Sequence, residues 1–162
     1  MGLLLCTRCA QHPFYYEKLD INLWSIQELS YVIYHYPIML PTDLVDRKLS
    51  GWIRDELHMG ILAAKLEQYM GSGEGGDLQE RLLLMILRES NYYTQQEISY
   101  FESEYRRLRH IDRDQFYDLL GDAYFHMGRY GRAIEAYTES LHYQDSMLVK
   151  MKLGSGCVTV MQ

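Results

Sequence analysis

Two cysteines and a histidine near the start of the chain form a cluster of metal-ligand type. Cys6 and Cys9 are separated by two residues, and His12 follows Cys9 after two more. Thiolates at this spacing supply half of a tetrahedral zinc site, with His12 as a candidate third ligand. A structural site needs a fourth ligand, and Cys157 is the one other cysteine. The spacing leaves two interpretations open, a zinc site or a pair of reduced thiols.

Two carboxylate–histidine pairs have the spacing found in di-iron helical bundles. They are Asp55-x-x-His58 and Glu139-x-x-His142. A di-iron site needs such pairs to face the interior of the bundle together with two further glutamates. Both pairs lie off the apolar faces of their predicted helices, which indicates solvated helix surface. The chain also lacks a nucleophilic triad or a phosphate-binding loop at diagnostic spacing, so we predict that it is not an enzyme.

The composition is that of a globular protein whose partners are not nucleic acids. The 162 residues are 48% hydrophobic and 23% charged, which excludes wholesale disorder. The net charge of -6 and the pI near 5.5 argue against a basic nucleic-acid-binding face. Tyrosine is abundant, with 15 residues against 4 phenylalanines. Because tyrosine buries a ring and keeps a polar hydroxyl, this bias suits helix seams and the walls of binding grooves.

Compartment and membrane association follow from the cysteine count and the apolar runs. Three cysteines do not make a disulfide framework, so a reducing compartment is the simpler prediction. The apolar run from Leu82 to Leu87 is too short to cross a bilayer. The sequence therefore predicts a cytoplasmic protein that does not associate with membranes.

Helix signals dominate after residue 24, and they predict an all-α fold. Ser25 to Glu28 and Thr94 to Glu97 are capping boxes, in which a hydroxyl and a glutamate satisfy the free amides at a helix start. We expect four segments: an irregular or extended 1–24 with a short hairpin around Cys6–Cys9, a helical region 25–70, a Gly-rich loop 71–76, and helical hairpins over 77–162. The loop matches the dinucleotide-binding pattern G-x-G-x-x-G. That pattern binds a dinucleotide only when it follows a β-strand, and here a predicted helix precedes it, so we interpret the segment as a loop.

Five apolar faces at helical spacing support this division. Their members recur every three or four residues. They are Ile26, Leu29, Ile33 and Tyr36; Val45, Leu49, Trp52, Ile53 and Leu57; Leu62, Leu66, Tyr69 and Met70; Leu78, Leu82, Met85 and Ile86; and Ile98, Phe101, Tyr105 and Leu108.

Residues 114–147 resemble a tetratricopeptide repeat (TPR), a helical hairpin of about 34 residues. Small residues lie where the two helices would cross, and aromatic residues surround them. Counted from Asp114, the matching positions are Tyr117, Leu120, Gly121, Tyr124, Gly128, Tyr130, Ala133 and Tyr137. Ser140 and Asp145 depart from the Ala and Pro that the family often has. The resemblance implies a short TPR-like α-solenoid.

By that resemblance the protein holds a peptide or another protein in a groove lined by the first helix of each hairpin. The matching outward positions are Gln115, Asp118, Asp122, Phe125 and His126. Asp118 and Asp122 are four residues apart, so both carboxylates project from one face, where they should attract Lys or Arg. The leading hypothesis is an interaction module for a basic protein or peptide. The alternative is a small zinc-dependent regulatory protein that uses Cys6, Cys9 and His12.

The C-terminal edge is predicted to self-associate. Leu153-Gly154 follows Leu120-Gly121 at close to one repeat length and would open a further repeat. Without a second helix, the apolar residues around Leu153 would be exposed, and exposed patches of that kind favour homo-oligomers.

Overall fold

The structure, a computed structural model, describes residues 9–72 and 77–143. Within these ranges the chain is mainly helical, which confirms the all-α prediction at the level of fold class. The strands are β1 (Phe14–Tyr16) and β2 (Ile21–Leu23). The helices are α1 (Ile26–His35), α2 (Arg47–Asp55), α3 (Gly60–Gly71), α4 (Leu78–Glu89), α5 (Gln95–Arg109), α6 (Arg113–His126) and α7 (Tyr130–Tyr143).

The extended N-terminal segment is a two-stranded antiparallel hairpin. Phe14 pairs with Leu23 and Tyr16 with Ile21, and Asp20 takes the left-handed conformation next to β2. The short hairpin predicted around Cys6–Cys9 lies outside the described residues except for Cys9 itself. The β1–β2 hairpin is held in place by side-chain burial, since Tyr16 and Leu23 are both buried. The indole N–H of Trp52 donates to the His12 carbonyl at 2.9 Å, which ties the start of this segment to α2.

The two predicted capping boxes start α1 and α5. Ser25 Oγ accepts the backbone N–H of Glu28 at 3.1 Å, and the Glu28 carboxylate accepts the amide of Trp24 at 2.8 Å. Thr94 and Glu97 exchange the reciprocal pair of bonds at 3.2 and 3.0 Å. These bonds satisfy amides that a helix start otherwise leaves free.

The chain divides into two compact units, with the boundary between Glu104 and Tyr105 inside α5. We refer to 1–104 as unit 1 and 105–162 as unit 2. The sequence predicts a Gly-rich loop at 71–76, of which residues 73–76 lie outside the described part of the chain. In unit 1, α4 packs against α1 and α3, so the helices on the two sides of that loop belong to one core.

The core of unit 1 contains most of the predicted apolar faces. The side chains of Leu29, Ile33, Leu49, Ile53 and Leu66 are fully or almost fully buried. Tyr69 departs most from the prediction, because its side chain is 43% exposed. Tyr36 and Met70 are half-buried. Leu62, Ala63 and Leu66 are the buried positions of α3, and they leave Tyr69 on its outer side.

Unit 2 contains the antiparallel hairpin of α6 and α7. Gly128, with φ of 78°, lies in the connection, as the sequence predicted for a left-handed helix terminator. Gly121 and Ala133 are both buried at the seam. Ser140 Oγ donates to the Asp114 carbonyl at 2.8 Å and joins the open end of the hairpin.

Helix starts recur along the chain at nearly constant spacing. α1, α3, α5 and α7 begin at Ile26, Gly60, Gln95 and Tyr130, and each interval is close to the length of one TPR unit. The tripeptide His58-Met59-Gly60 recurs as His126-Met127-Gly128, at close to twice that interval. A period of this length is typical of helical-repeat proteins.

Candidate binding site on the hairpin of α6 and α7

The seam between α6 and α7 is closest at Gly121. A Cβ atom added to Gly121 would lie 2.4 Å from both Cδ1 and Cε1 of Tyr137, far inside ordinary van der Waals contact. Tyr137 is 2% exposed, so its ring is held against the Gly121 backbone. The glycine therefore permits the close approach of α6 and α7 at this point.

One of the two predicted groove carboxylates belongs to this seam. The Tyr137 hydroxyl donates to Asp122 Oδ1 at 2.8 Å. Burial raises the pKa of the Tyr137 phenol, and the carboxylates of Asp122 and Asp118 raise it further. Asp122 thus anchors the second helix, a role that the spacing of Asp118 and Asp122 did not reveal.

The remaining predicted groove residues lie along the same side of α6. Asp118 is half-buried, whereas Gln115 and His126 are exposed. The Phe125 ring lies 5.3 Å from the Tyr130 ring and 6.4 Å from the His126 ring, measured between centroids. The structure therefore brings Phe125, His126 and Tyr130 together at the connected end of the hairpin.

A groove of about 260 Å³ runs along the seam on the other side of α6, and we name it the seam groove. Aromatic and aliphatic side chains form its walls, and charged side chains of α7 stand at its edge. Its lining residues are Tyr117, Leu120, Tyr124, Arg132, Glu135, Ala136 and Glu139. The sequence did not reveal this groove because two helices form it together, although the Glu135–Glu139 spacing places both carboxylates on one face.

Glu135 and Glu139 are the available charges of the seam groove. Both side chains are exposed, and neither has a hydrogen bond or an ion pair with the residues the structure describes. The Arg132 guanidinium lies 5.9 Å from the centre of the Tyr124 ring. The groove therefore already holds a cation against an aromatic face, with two carboxylates beside it.

Arginine–tyrosine pairing recurs elsewhere in unit 2. The Arg113 guanidinium lies 5.7 Å from the centre of the Tyr143 ring and donates to its hydroxyl at 3.3 Å. That hydrogen bond raises the pKa of Arg113 above its ordinary value. Tyr143 also stacks on Tyr117, a groove residue, with centroids 5.8 Å apart. Tyrosine faces of this unit thus bind guanidinium groups repeatedly.

Comparisons with protein-family models, with characterised proteins and with solved structures found no match to this chain. In the ranges 9–72 and 77–143, no helix has both the length and the apolar character needed to cross a bilayer. The function is therefore inferred from the geometry of the chain's own residues.

The zinc cluster of Cys6, Cys9 and His12 stays a prediction, because Cys6 lies outside the described residues. Cys9 is disulfide-bonded, and a sulfur in a disulfide is not a thiolate ligand for zinc. Zinc binding at this cluster therefore requires Cys9 in its reduced form. His12 Nδ1 lies 3.2 Å from Glu56 Oε2. Among the described residues no group of three or more metal-ligand side chains comes together, and the Asp55–His58 pair is no exception.

Proposed function

We propose that this protein is an interaction module in which TPR-like helical hairpins bind a basic segment of a partner protein. The observation that carries the proposal is the seam groove, with tyrosine walls and two available carboxylates. No enzymatic activity is proposed. The predicted association through the C-terminal edge concerns residues outside the described part of the chain.

The regular helix spacing supports the repeat part of the proposal. Helix starts at nearly constant intervals fit a chain built from one type of hairpin unit. The Gly121–Tyr137 contact supports it as well, since a small residue opposite a large ring is what the resemblance requires at the helix crossing. Repeats of this kind usually act by binding other chains rather than by catalysis.

A lysine or arginine side chain fits the seam groove in a defined orientation. Its aliphatic stem packs against Leu120 and the tyrosine rings, as long cationic side chains do on apolar surfaces. Its charged head group lies against Glu135 and Glu139. Each cation–ring contact contributes about 0.5–1 kcal/mol at an exposed site, and each exposed ion pair contributes up to about 1 kcal/mol. Binding of a single side chain is therefore weak, and affinity requires several basic residues in the partner.

The α6 face with Asp118, Asp122 and Phe125 is the competing location. Asp122 is committed to Tyr137, so fewer charges are available there than in the seam groove. The two locations make different predictions for charge reversal, which makes them separable.

The test is binding of a fluorescent lysine- and arginine-rich peptide to three double charge reversals. Glu135→Lys/Glu139→Lys changes the seam groove, and Asp118→Lys/Asp122→Lys changes the opposite face of α6. Asp43→Lys/Asp55→Lys is the matched control, because both aspartates are exposed and the change in net charge is the same. Circular dichroism verifies that each variant folds.

We expect the seam-groove variant to lose roughly tenfold or more in affinity, beyond the loss that the control suffers from net charge alone. Equal losses in the seam-groove variant and the control would refute the groove. A selective loss in the Asp118/Asp122 variant would place the binding site on the face predicted from sequence. An acidic peptide that binds the wild-type protein better than the basic peptide would refute the basic partner.

A further inference from the structure

Unit 1 carries a cluster of tyrosines that the seam groove does not involve. Two belong to α1, two to the connection between α4 and α5, and one to α5. We name it the tyrosine surface, and it consists of Tyr31, Tyr34, Tyr92, Tyr93 and Tyr100. The side chains of Tyr31, Tyr92 and Tyr100 are 48%, 46% and 63% exposed. Exposed large aromatic side chains grouped in this way are typical of interaction surfaces.

Four rings of the tyrosine surface are linked by ring contacts, directly or through His35. Tyr100 interacts electrostatically with Tyr34. Tyr34 stacks on Tyr93 with centroids 4.3 Å apart and planes inclined by 12°. Tyr92 meets Tyr93 edge-on at 5.1 Å, and Tyr31 lies 4.2 Å from the His35 ring. Tyr31 and Tyr92 are thus each in contact with a neighbouring ring. A rigid aromatic surface loses little conformational entropy when a partner binds, which favours recognition.

The same local sequence delivers Tyr31 and Tyr100 to this surface. Glu28-Leu29-Ser30-Tyr31 in α1 corresponds to Glu97-Ile98-Ser99-Tyr100 in α5. In each copy the glutamate caps the helix and the following aliphatic residue is buried. The tyrosine, three residues after the glutamate, is left exposed. One capped helix start is therefore used twice to present a phenol ring.

The net negative charge of unit 1 favours a positively charged ligand. Residues 1–104 contain 15 acidic and 8 basic side chains, a net charge of -7. Residues 105–162 contain 7 acidic and 8 basic side chains, a net charge of +1. The whole acidic surplus of the chain thus lies in unit 1. Glu97 is an acidic residue close to the tyrosine surface. Burial raises the pKa of the Tyr34 and Tyr93 phenols, and the charge of Glu97 raises both further.

We infer that the tyrosine surface is a second binding site, whose ligand is an arginine-containing segment of a partner protein. A cation is attracted both by the face of an aromatic ring and by the negative unit that carries it. Arginine is favoured over lysine because the planar guanidinium stacks on exposed rings and an ammonium does not. The chain shows this chemistry internally, at Arg113 over Tyr143 and Arg132 over Tyr124.

The experiment compares fluorescent oligo-arginine and oligo-lysine peptides of equal length. It uses the full chain with Glu135→Lys/Glu139→Lys, so that binding in the seam groove is removed and the tyrosine surface is read alone. Failure of the seam-groove proposal then leaves this measurement intact. In this background we add Tyr31→Ser/Tyr92→Ser/Tyr100→Ser. Tyr69→Ser is the matched control, since Tyr69 is an exposed tyrosine of the same unit on α3.

We expect oligo-arginine to bind more tightly than oligo-lysine, and the triple variant to lose roughly tenfold or more in oligo-arginine affinity. The Tyr69 control should change by less than about twofold. If the triple variant fails to fold, the single variant Tyr100→Ser replaces it, because Tyr100 is the most exposed of these rings. This variant should lose part of the oligo-arginine affinity. Equal affinity for the two peptides in all variants would mean that net charge alone attracts them, and would overturn the inference. Equal loss in the Tyr69 control would overturn it as well.

Discussion

Replacing Gly121 with alanine tests the helix crossing on which the hairpin of unit 2 depends. The added Cβ would lie 2.4 Å from two ring atoms of Tyr137 and 2.9 Å from a third. Carbon atoms in contact are ordinarily about 3.5–4.0 Å apart, so α6 and the ring must separate by roughly 1 Å. Tyr137 is buried and its hydroxyl is held by Asp122, which resists that movement.

Two effects with opposite signs determine the change in stability. Overpacking of a tight contact costs about 1–3 kcal/mol. Alanine is favoured over glycine inside a helix by about 1 kcal/mol, which offsets part of that cost. We expect a net loss of up to about 2 kcal/mol in the free energy of unfolding for Gly121→Ala. Gly51→Ala is the matched control, because its Cβ meets nothing within 4 Å and it too lies inside a helix. That variant should gain up to about 1 kcal/mol.

The measurement is urea unfolding followed by far-ultraviolet circular dichroism, with a double-mutant cycle through Tyr137→Leu. Leucine removes the ring atoms that the new Cβ meets, so Gly121→Ala should cost less in that background. An equal cost in both backgrounds would show that the Tyr137 ring does not limit the space at Gly121. A stability gain for Gly121→Ala similar to that of Gly51→Ala would refute the close crossing itself.

Two further predictions concern unit 1. The Tyr93 hydroxyl is buried and has no hydrogen-bond partner among the described residues, so Tyr93→Phe should raise stability by up to about 1 kcal/mol. Burial raises the pKa of Tyr93 above its ordinary 10.0, so the wild type should lose stability as the pH rises above 10. Tyr93→Phe should lose less, and urea midpoints measured across that range check both statements. Glu56 accepts the backbone amides of Gln11 and His12 at 3.0 and 2.8 Å, and the His12 amide lowers the pKa of its carboxyl below 4.5. The two bonds should persist above pH 4.5 and weaken as acid titrates the folded carboxyl, which NMR shifts of the two amides report; shifts that stay constant through this titration would contradict it.

Local signals predicted local structure well. Ser25 and Thr94 start helices because their hydroxyls and the following glutamates satisfy amides within one turn. Gly128 terminates α6 because its backbone adopts a positive φ that few other residues tolerate. Each of these signals lies within a few residues of the structure it predicts. These signals can therefore be recognised in the sequence before the fold is known.

Features formed by residues far apart in the sequence could not be predicted from such local signals. Asp122 looked like a groove residue because its spacing from Asp118 is helical, but its partner Tyr137 lies on the next helix. The seam groove requires α6 and α7 to be paired before its walls exist. The disulfide of Cys9 depends on oxidation, which an odd number of cysteines did not suggest. In each case tertiary contact or covalent pairing decided the role of the residue.

One long-range signal was present in the sequence. The tripeptide His-Met-Gly occurs at 58–60 and again at 126–128, and Glu-x-Ser-Tyr occurs in both α1 and α5. The two copies of each motif are separated by close to twice the helix-start interval. The copies differ where their surroundings differ. His58 takes the positive φ in the first turn, whereas Gly128 takes it in the second. Similar local sequences thus give similar helices with different connections.

The two proposed sites together define the partner more sharply than either does alone. Both join tyrosine faces to carboxylates, and we therefore expect both to bind cations in preference to apolar or acidic ligands. The carboxylates at the seam groove are two neighbouring side chains in a unit of nearly balanced charge, whereas the tyrosine surface lies in a unit with a net charge of -7. At low ionic strength, long-range electrostatic attraction of a basic chain is due mainly to the negative charge of unit 1. This attraction should increase the association rate of any basic chain. Discrimination among basic chains then depends on the rings, because only a guanidinium stacks on them.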